Sequence, residues 1–188
     1  MKAFLTFTII LCFTIITQAQ DLKTTQEITS ALKDNVTLSK LHYPQSVIRF
    51  YAKNNSEYAW IIAQRSDQSE MAMLLLEYSY RFGLSLSDYH WEDISLQKLR
   101  KLQDTPAGTN QEEKTLFDIL MTDALITFIN NLHLGKYNPL YDSSYIDSNN
   151  INGFRSEDIL MNARQQKDFL KTVLEVQPKI KEYTDFQN

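Results

Sequence analysis

The chain has 188 residues and a formal net charge of −4, with four glycines, four prolines and one cysteine. Its charges form no basic block or stripe, which argues against nucleic acid or anionic lipid as a partner. The scarcity of glycine and proline favours long helices joined by short loops over a sheet with many turns. We therefore predict an all-α protein, long enough for one domain with its own core.

The N-terminus has the three parts of a secretory signal peptide. Lys2 supplies a positive charge, an apolar run follows, and Thr17 and Ala19 are small residues at the expected positions before a cleavage site. Cleavage after Ala19 gives a signal peptide over 1–19, a periplasmic location and one domain over 20–188. The alternative is an uncleaved anchor, but the apolar run is shorter than the roughly 20 residues of a membrane span. No stable span is expected after cleavage.

Cys12 is the only cysteine and lies inside the predicted signal peptide. The processed chain is therefore expected to have no thiol nucleophile, no disulfide and no thiolate metal site. Packing alone must hold it together.

The domain opens with two predicted helices and an ambiguous stretch. Residues 25–33 fit a short amphipathic helix, and Pro44 suits the first position of a second helix that ends at Asn54. The stretch 56–62, SEYAWII, is rich in aromatic and β-branched residues. It is interpreted as either a short strand or a buried linker.

A third and a fourth helix follow. Asp67 and Glu70 are spaced as in a capping box, which predicts a helix start, and Gly83 is expected to close that helix. Ile94, Leu99 and Leu102 then indicate another helix.

The most apolar helix is predicted from Asn110 to Gly135. Asn110 with Glu113 is a second capping signal, and Gly135 is the expected C-cap. The apolar arc is too broad for a single neighbour, so this is predicted to be the central helix. A loop over 136–154, a long final helix capped by Ser156 and a short helix from Pro178 through Tyr183 complete the prediction. The arc comprises Leu116, Phe117, Leu120, Met121, Ala124, Leu125, Phe128, Ile129 and Leu132.

The titratable residues form no recognisable catalytic, cofactor or metal pattern. His42, His90 and His133 have no metal-ligand spacing, and the helix dipole accounts for His133 near a helix C-terminus. Asp118 and Asp123 are five positions apart and face different sides of the helix. Solvated or helix-terminal positions are the favoured interpretation for both. Asp123 is the exception to examine, because an acid among apolar residues usually has a partner.

The loop after the central helix contains three tyrosines. Tyr137, Tyr141 and Tyr145 could form a platform on which a sugar ring stacks. Ordinary anchoring of the loop is the favoured interpretation. Tyr137 and Tyr141 are kept as candidate ligand contacts.

Four segments carry a set of residues in a fixed order: Phe50, Tyr51 and Trp60; Gly83, Leu84, Tyr89 and His90; Met121, Thr122, Asp123, Ala124, Gly135, Lys136 and Pro139; and Pro178 and Tyr183. The set resembles the N-terminal scaffold domain of large periplasmic murein L,D-transpeptidases. In that family a separate domain with a Ser-x-Gly-Cys pattern carries the nucleophilic cysteine. That pattern is absent here.

The resemblance implies a non-catalytic scaffold that acts in peptidoglycan cross-linking and cell-wall remodelling. Its expected partners are an L,D-transpeptidase catalytic domain or another cell-wall protein, and peptidoglycan itself; the chain is either free-standing or a truncated enzyme. No cofactor is expected. One alternative is an independent periplasmic peptide- or sugar-binding module. The other is an enzyme that uses carboxylates such as Glu112, Glu113 or Asp118.

Overall fold

The structure, a computed structural model, describes residues 24–62, 65–106 and 108–178. Over these ranges the chain is helical and has no strand; its one isolated β-bridge pairs Ile151 with Phe154. The predicted all-α class is confirmed. The predicted signal peptide and the helix expected beyond Pro178 lie outside the described residues.

The helices follow one another along the chain. They are α1 (24–31), α2 (Asn35–Leu38), α3 (Pro44–Lys53), α4 (Ser66–Glu77), α5 (Leu96–Asp104), α6 (Gln111–Leu134), α7 (Ser143–Ser148), α8 (Ser156–Gln165) and α9 (Phe169–Leu174). Two 3₁₀ turns, Ser79–Phe82 and Leu86–Asp88, lie between α4 and α5. Pro44 occupies the first position of α3, as predicted, because the missing N–H of proline costs nothing there.

Helix α6 is the centre of the fold. Every residue from Phe117 to Asn130 is buried, and α3, α4 and α8 pack around it. Among the described residues it is the one helix long and apolar enough to cross a membrane, yet 89% of that apolar window is buried inside the protein. It is therefore the core helix of the domain, as its broad apolar arc predicts.

Both predicted capping boxes are wrong. No side chain caps α4, and Glu70 instead pairs with Arg100 of α5 through two bonds of 2.8 and 2.7 Å. Asn110 does occupy the N-cap position of α6, but its side chain makes no capping bond and its φ is 51°. In both cases a local signal is overridden by the tertiary path of the chain.

Two regions differ from the predicted secondary structure, and a third is predicted as either a strand or a linker. The predicted long final helix is two helices, α8 and α9, because Asp168 caps a new start by accepting a bond from the Lys171 N–H. The loop over 136–154 contains α7, which Asp142 caps. The stretch 56–62 is a linker and not a strand, and Ala59 and Trp60 are its buried residues. Gly135 ends α6 as predicted, with a φ of 84°, whereas Gly83 closes the 3₁₀ turn that follows α4.

Candidate functional site

Two acids on α6 reach two different segments of the chain. Asp118 and Asp123 each have 0% of their surface exposed, so the interpretation of solvated or helix-terminal carboxylates is wrong. Five positions of helical rotation point the side chains in different directions. Each side chain meets a connecting segment whose backbone N–H groups need acceptors. Asp118 contacts the linker after α3, and Asp123 contacts the turn before α3.

Asp118 accepts four hydrogen bonds. The backbone N–H groups of Ala59, Trp60 and Ile61 donate to it at 2.8, 2.8 and 3.0 Å, and the Tyr51 hydroxyl donates at 2.6 Å. The linker has no strand partner to accept these N–H groups, and a buried N–H without an acceptor is costly. The Asp118 carboxylate thus accepts the backbone N–H groups that a neighbouring strand would accept in a β-sheet.

Burial changes the pKa values of both Asp118 and Tyr51. Burial raises the pKa of Asp118, and its four hydrogen-bond donors act against that rise. Burial also raises the pKa of Tyr51 well above its ordinary value, and the adjacent Asp118 raises it further. Tyr51 therefore remains a hydroxyl donor at neutral pH, which suits the pair to structural support.

Thr122 completes the same cluster one turn along α6. Its hydroxyl accepts a bond of 2.9 Å from the Trp60 indole N–H and lies 2.9 Å from the Tyr51 hydroxyl oxygen. It also donates to the Asp118 backbone carbonyl at 2.9 Å. We refer to Tyr51, Trp60, Asp118 and Thr122 as the anchor cluster. All four side chains are fully buried.

Arg164 of α8 also contacts the linker after α3. Its guanidinium donates to the Ala59 carbonyl at 2.9 Å and lies 5.2 Å from the centre of the Trp60 ring, a cation–π distance. Neither Arg164 nor Asp118 is predicted from the sequence to be a structural residue. For Asp118 a signal existed, since it precedes Thr122 by four positions and so shares its helix face.

Asp123 holds the turn before α3. Its two oxygens accept the backbone N–H groups of His42 and Tyr43, each at 2.9 Å. The same Oδ2 atom lies 2.7 Å from Nε2 of His90 and 3.3 Å from Nδ1 of His42. The two imidazole rings stack with centroids 4.8 Å apart. The partner expected for Asp123 is therefore present.

The electrostatics of Asp123 differ from those of Asp118. Burial acts to raise its pKa, but the hydrogen bonds from His42 and His90 outweigh burial and lower the pKa of Asp123 to about 2. The hydrogen bond with Asp123 in turn raises the pKa of His42. We refer to Asp123, His42 and His90 as the charged cluster. No spacing rule could find it, because Asp123 lies 81 positions from His42 and 33 from His90.

A pocket of about 470 Å³ opens beside this charged cluster. His42, Asp88 and Lys136 are among its lining residues. Lys136 donates to the Asp88 carboxylate at 2.7 Å, which joins the loop after α6 to the 3₁₀ turn before α5. The loop is tied down further by Asp147, which accepts the N–H groups of Gln45 and Ser46 at the start of α3 at 2.9 and 2.7 Å.

The residues of the four matching segments fall into three groups. Phe50, Tyr51, Trp60, Tyr89, Thr122 and Asp123 are buried, and His90 is nearly so. Gly83 and Gly135 adopt positive φ angles at turns, while Pro139 is exposed. Pro178 is the last described residue, and Tyr183 lies outside the described part of the chain.

The candidate ligand contacts lie on the surface. Tyr137 has 87% of its surface exposed, and Lys136 lies 5.4 Å from its ring centre. Tyr141 is half-buried and stacks on Tyr145 with ring centroids 5.2 Å apart and nearly parallel planes. Tyr137 is thus free to meet a ligand, while Tyr141 is partly engaged within its own loop.

The fold and these buried hydrogen bonds define a helical supporting domain, in which polar groups of the central helix hold the connecting segments in place. The chain belongs to the scaffold-domain family, whose family model matches residues 45–188 and so covers α3 to α9. No curated protein and no solved structure gives a significant match. Membership of this family supports a non-catalytic scaffold role.

Proposed function

We propose that this chain is a scaffold domain related to those of large periplasmic L,D-transpeptidases, and that it supports peptidoglycan cross-linking by docking a catalytic domain. The supporting observation is that three of the four matching segments meet on α6 through one buried and one partly buried hydrogen bond. Trp60 of the first segment bonds to Thr122, and His90 of the second bonds to Asp123. Matching residues from separate segments that meet on one helix fit a common family better than chance similarity does.

The anchor cluster suits a domain that presents a rigid surface to a partner. Buried polar groups with all their partners in place restrict the core to a single arrangement. A rigid surface loses little conformational entropy on binding, which favours docking of a folded partner. In this proposal the cysteine chemistry belongs to the docked catalytic domain, and the chain itself acts in the periplasm after its signal peptide is removed.

The proposal is tested by a binding measurement. The full-length chain is expressed with export, its processed N-terminus is read by mass spectrometry, and it is titrated into a purified L,D-transpeptidase catalytic domain by isothermal titration calorimetry. We expect a signal peptide removed after Ala19 and saturable binding of one catalytic domain. A catalytic domain with its cysteine changed to alanine should bind equally well. The absence of any binding heat with the catalytic domain would contradict the proposal.

The second candidate is an independent sugar- or peptide-binding module, and the exposure of Tyr137 favours it. Aromatic faces stack on apolar faces of sugars or on peptide side chains. Purified sacculi are sedimented with the wild type, with Tyr137→Ala/Tyr141→Ala, and with Tyr80→Ala as a control, since Tyr80 is also exposed, at 65%, but lies on the 3₁₀ turn after α4. Retention lost only in the double variant supports this module. Equal retention of all three proteins rejects it.

A further inference from the structure

We propose that His42, His90 and Asp123 form a binding site for a divalent transition metal ion, with Zn²⁺ as the ion best suited to the ligands. The sequence predicts no metal site, because these three residues are far apart along the chain. The fold brings one ligand atom from each to within 4.8 Å of the others. This inference is independent of the docking role proposed above.

The ligand types match zinc chemistry. Imidazole nitrogen and carboxylate oxygen bind Zn²⁺ at about 2.0–2.2 Å, and sites with three protein ligands keep a further position open. Nε2 of His90 and Nδ1 of His42 both point at Oδ2 of Asp123, at 2.7 and 3.3 Å. A metal ion would take the place of the protons between these atoms. Two ligand atoms of one tetrahedral Zn²⁺ lie about 3.3 Å apart. The His90 and Asp123 atoms would therefore move slightly apart to admit the ion, and the His42 side chain, 46% exposed, has the freedom to adjust to it.

Two of the three ligands are held in position by the backbone. The Asp123 carboxylate receives the N–H groups of His42 and Tyr43, which orient it in the way that outer hydrogen bonds orient metal ligands. His90 has a φ of 52°, which is unusual for a residue that is not glycine, and its side chain is 10% exposed. Strained backbone of this kind is concentrated at functional positions.

The third ligand, His42, makes the site accessible from the pocket. His42 lines the pocket of about 470 Å³, so an ion and a water molecule or a donor group from another molecule can approach from that side. Asp88 lines the same pocket and adds negative charge, although its ion pair with Lys136 offsets that charge. The simpler interpretation is a histidine–aspartate hydrogen-bond cluster without a metal, and a metal titration separates the two.

The test uses the full chain carrying Cys12→Ser, so that its only thiol cannot bind the ion. After treatment with a chelator and its removal, the protein is titrated with ZnCl₂ by calorimetry and with Co²⁺ by visible absorption. We expect one equivalent of Zn²⁺, a visible Co²⁺ band of four- or five-coordinate geometry and a higher melting temperature with Zn²⁺. His42→Ala should weaken Zn²⁺ binding at least tenfold. The half-exposed ring of His42 can be lost while its backbone N–H still bonds to Asp123.

His133→Ala is the matched control. The chain has three histidines, and the ring of His133 stacks on Phe154 and lies 2.8 Å from the Val176 carbonyl, apart from the charged cluster. This variant should bind Zn²⁺ as tightly as the parent protein. The proposal is overturned if the parent protein binds no Zn²⁺, if His42→Ala binds equally well, or if His133→Ala loses binding to the same extent. Docking of the catalytic domain, measured with chelator present, reports on the proposed function separately.

Discussion

Asp118 and Asp123 lie on the same helix, are equally buried and serve different ends. The anchor cluster around Asp118 is sealed: one hydroxyl and three backbone N–H groups saturate the carboxylate. The cluster around Asp123 borders a pocket through His42 and includes two imidazole side chains. The difference shows that burial of an acid does not define its role. Both carboxylates accept backbone N–H groups, but Asp123 also contacts two imidazole rings, one of which borders the pocket.

The largest expected effect is the loss of the Asp118 carboxylate. In Asp118→Asn the amide NH₂ must face an N–H donor, because both oxygens of Asp118 accept backbone N–H groups. We expect the free energy of unfolding, measured by urea denaturation, to fall by about 3 kcal/mol or more. Glu70→Gln, which breaks an exposed ion pair with Arg100, is the control and should leave stability unchanged. Equal stability of the two variants would contradict the structural role of Asp118.

A smaller effect is expected at Asp123. Asp123→Ala leaves the N–H groups of His42 and Tyr43 without their acceptor, but the neighbouring pocket lets water reach this region. We expect a loss of about 1–3 kcal/mol and a melting temperature lower by several degrees. An unchanged melting curve would show that Asp123 does not hold the turn before α3.

Thr122→Val isolates one bond of the anchor cluster. Valine has nearly the same shape as threonine but cannot accept the Trp60 indole N–H. Leaving that donor unpaired should cost about 1–2 kcal/mol in urea denaturation. Thr109→Val, at an exposed position, serves as the control. If both variants unfold at the same urea concentration, the Trp60 bond contributes nothing to stability.

The smallest effect comes from an exposed acid, Asp34, which caps α2. Hydrogen bonding from the Thr37 backbone N–H lowers the pKa of Asp34 below its ordinary value. A lowered pKa in the folded state means that the cap stabilises the protein above the unfolded pKa of 3.8, and that this stabilisation disappears as the pH falls through the folded value. The melting-temperature difference between the wild type and Asp34→Ala should therefore be present at pH 5 and vanish in stronger acid. A difference that does not change with pH would argue against a carboxylate cap.

The parts of the fold that local rules govern could be predicted from the sequence. The apolar arc of α6 depends on helical periodicity, and the helix boundaries at Pro44 and Gly135 depend on which backbone conformations proline and glycine adopt. The failures at Glu70 and in the final helix show where local rules stop. Glu70 finds Arg100 thirty positions away, and this partner competes with the cap that spacing suggests.

The candidate site could be predicted only in part. The segment that contains Thr122 and Asp123 stands out in the sequence as a polar pair in an apolar helix. Their partners do not, because Trp60 lies 62 positions from Thr122 and His42 lies 81 positions from Asp123. Only the packing of α3 and its flanking turns against α6 brings these residues together. Such contacts depend on the whole fold and leave no periodic signal in the chain.

The central proposal is that this chain assists cross-linking by docking a catalytic domain and does not itself perform the reaction. The most direct test is a cross-linking assay on stem-peptide substrates with three samples: the chain alone, an L,D-transpeptidase catalytic domain alone, and the two together, with products separated by chromatography. The account predicts no product from the chain alone and more product from the mixture than from the catalytic domain alone. Cross-linked product from the chain alone, or a mixture no more active than the catalytic domain, would contradict it.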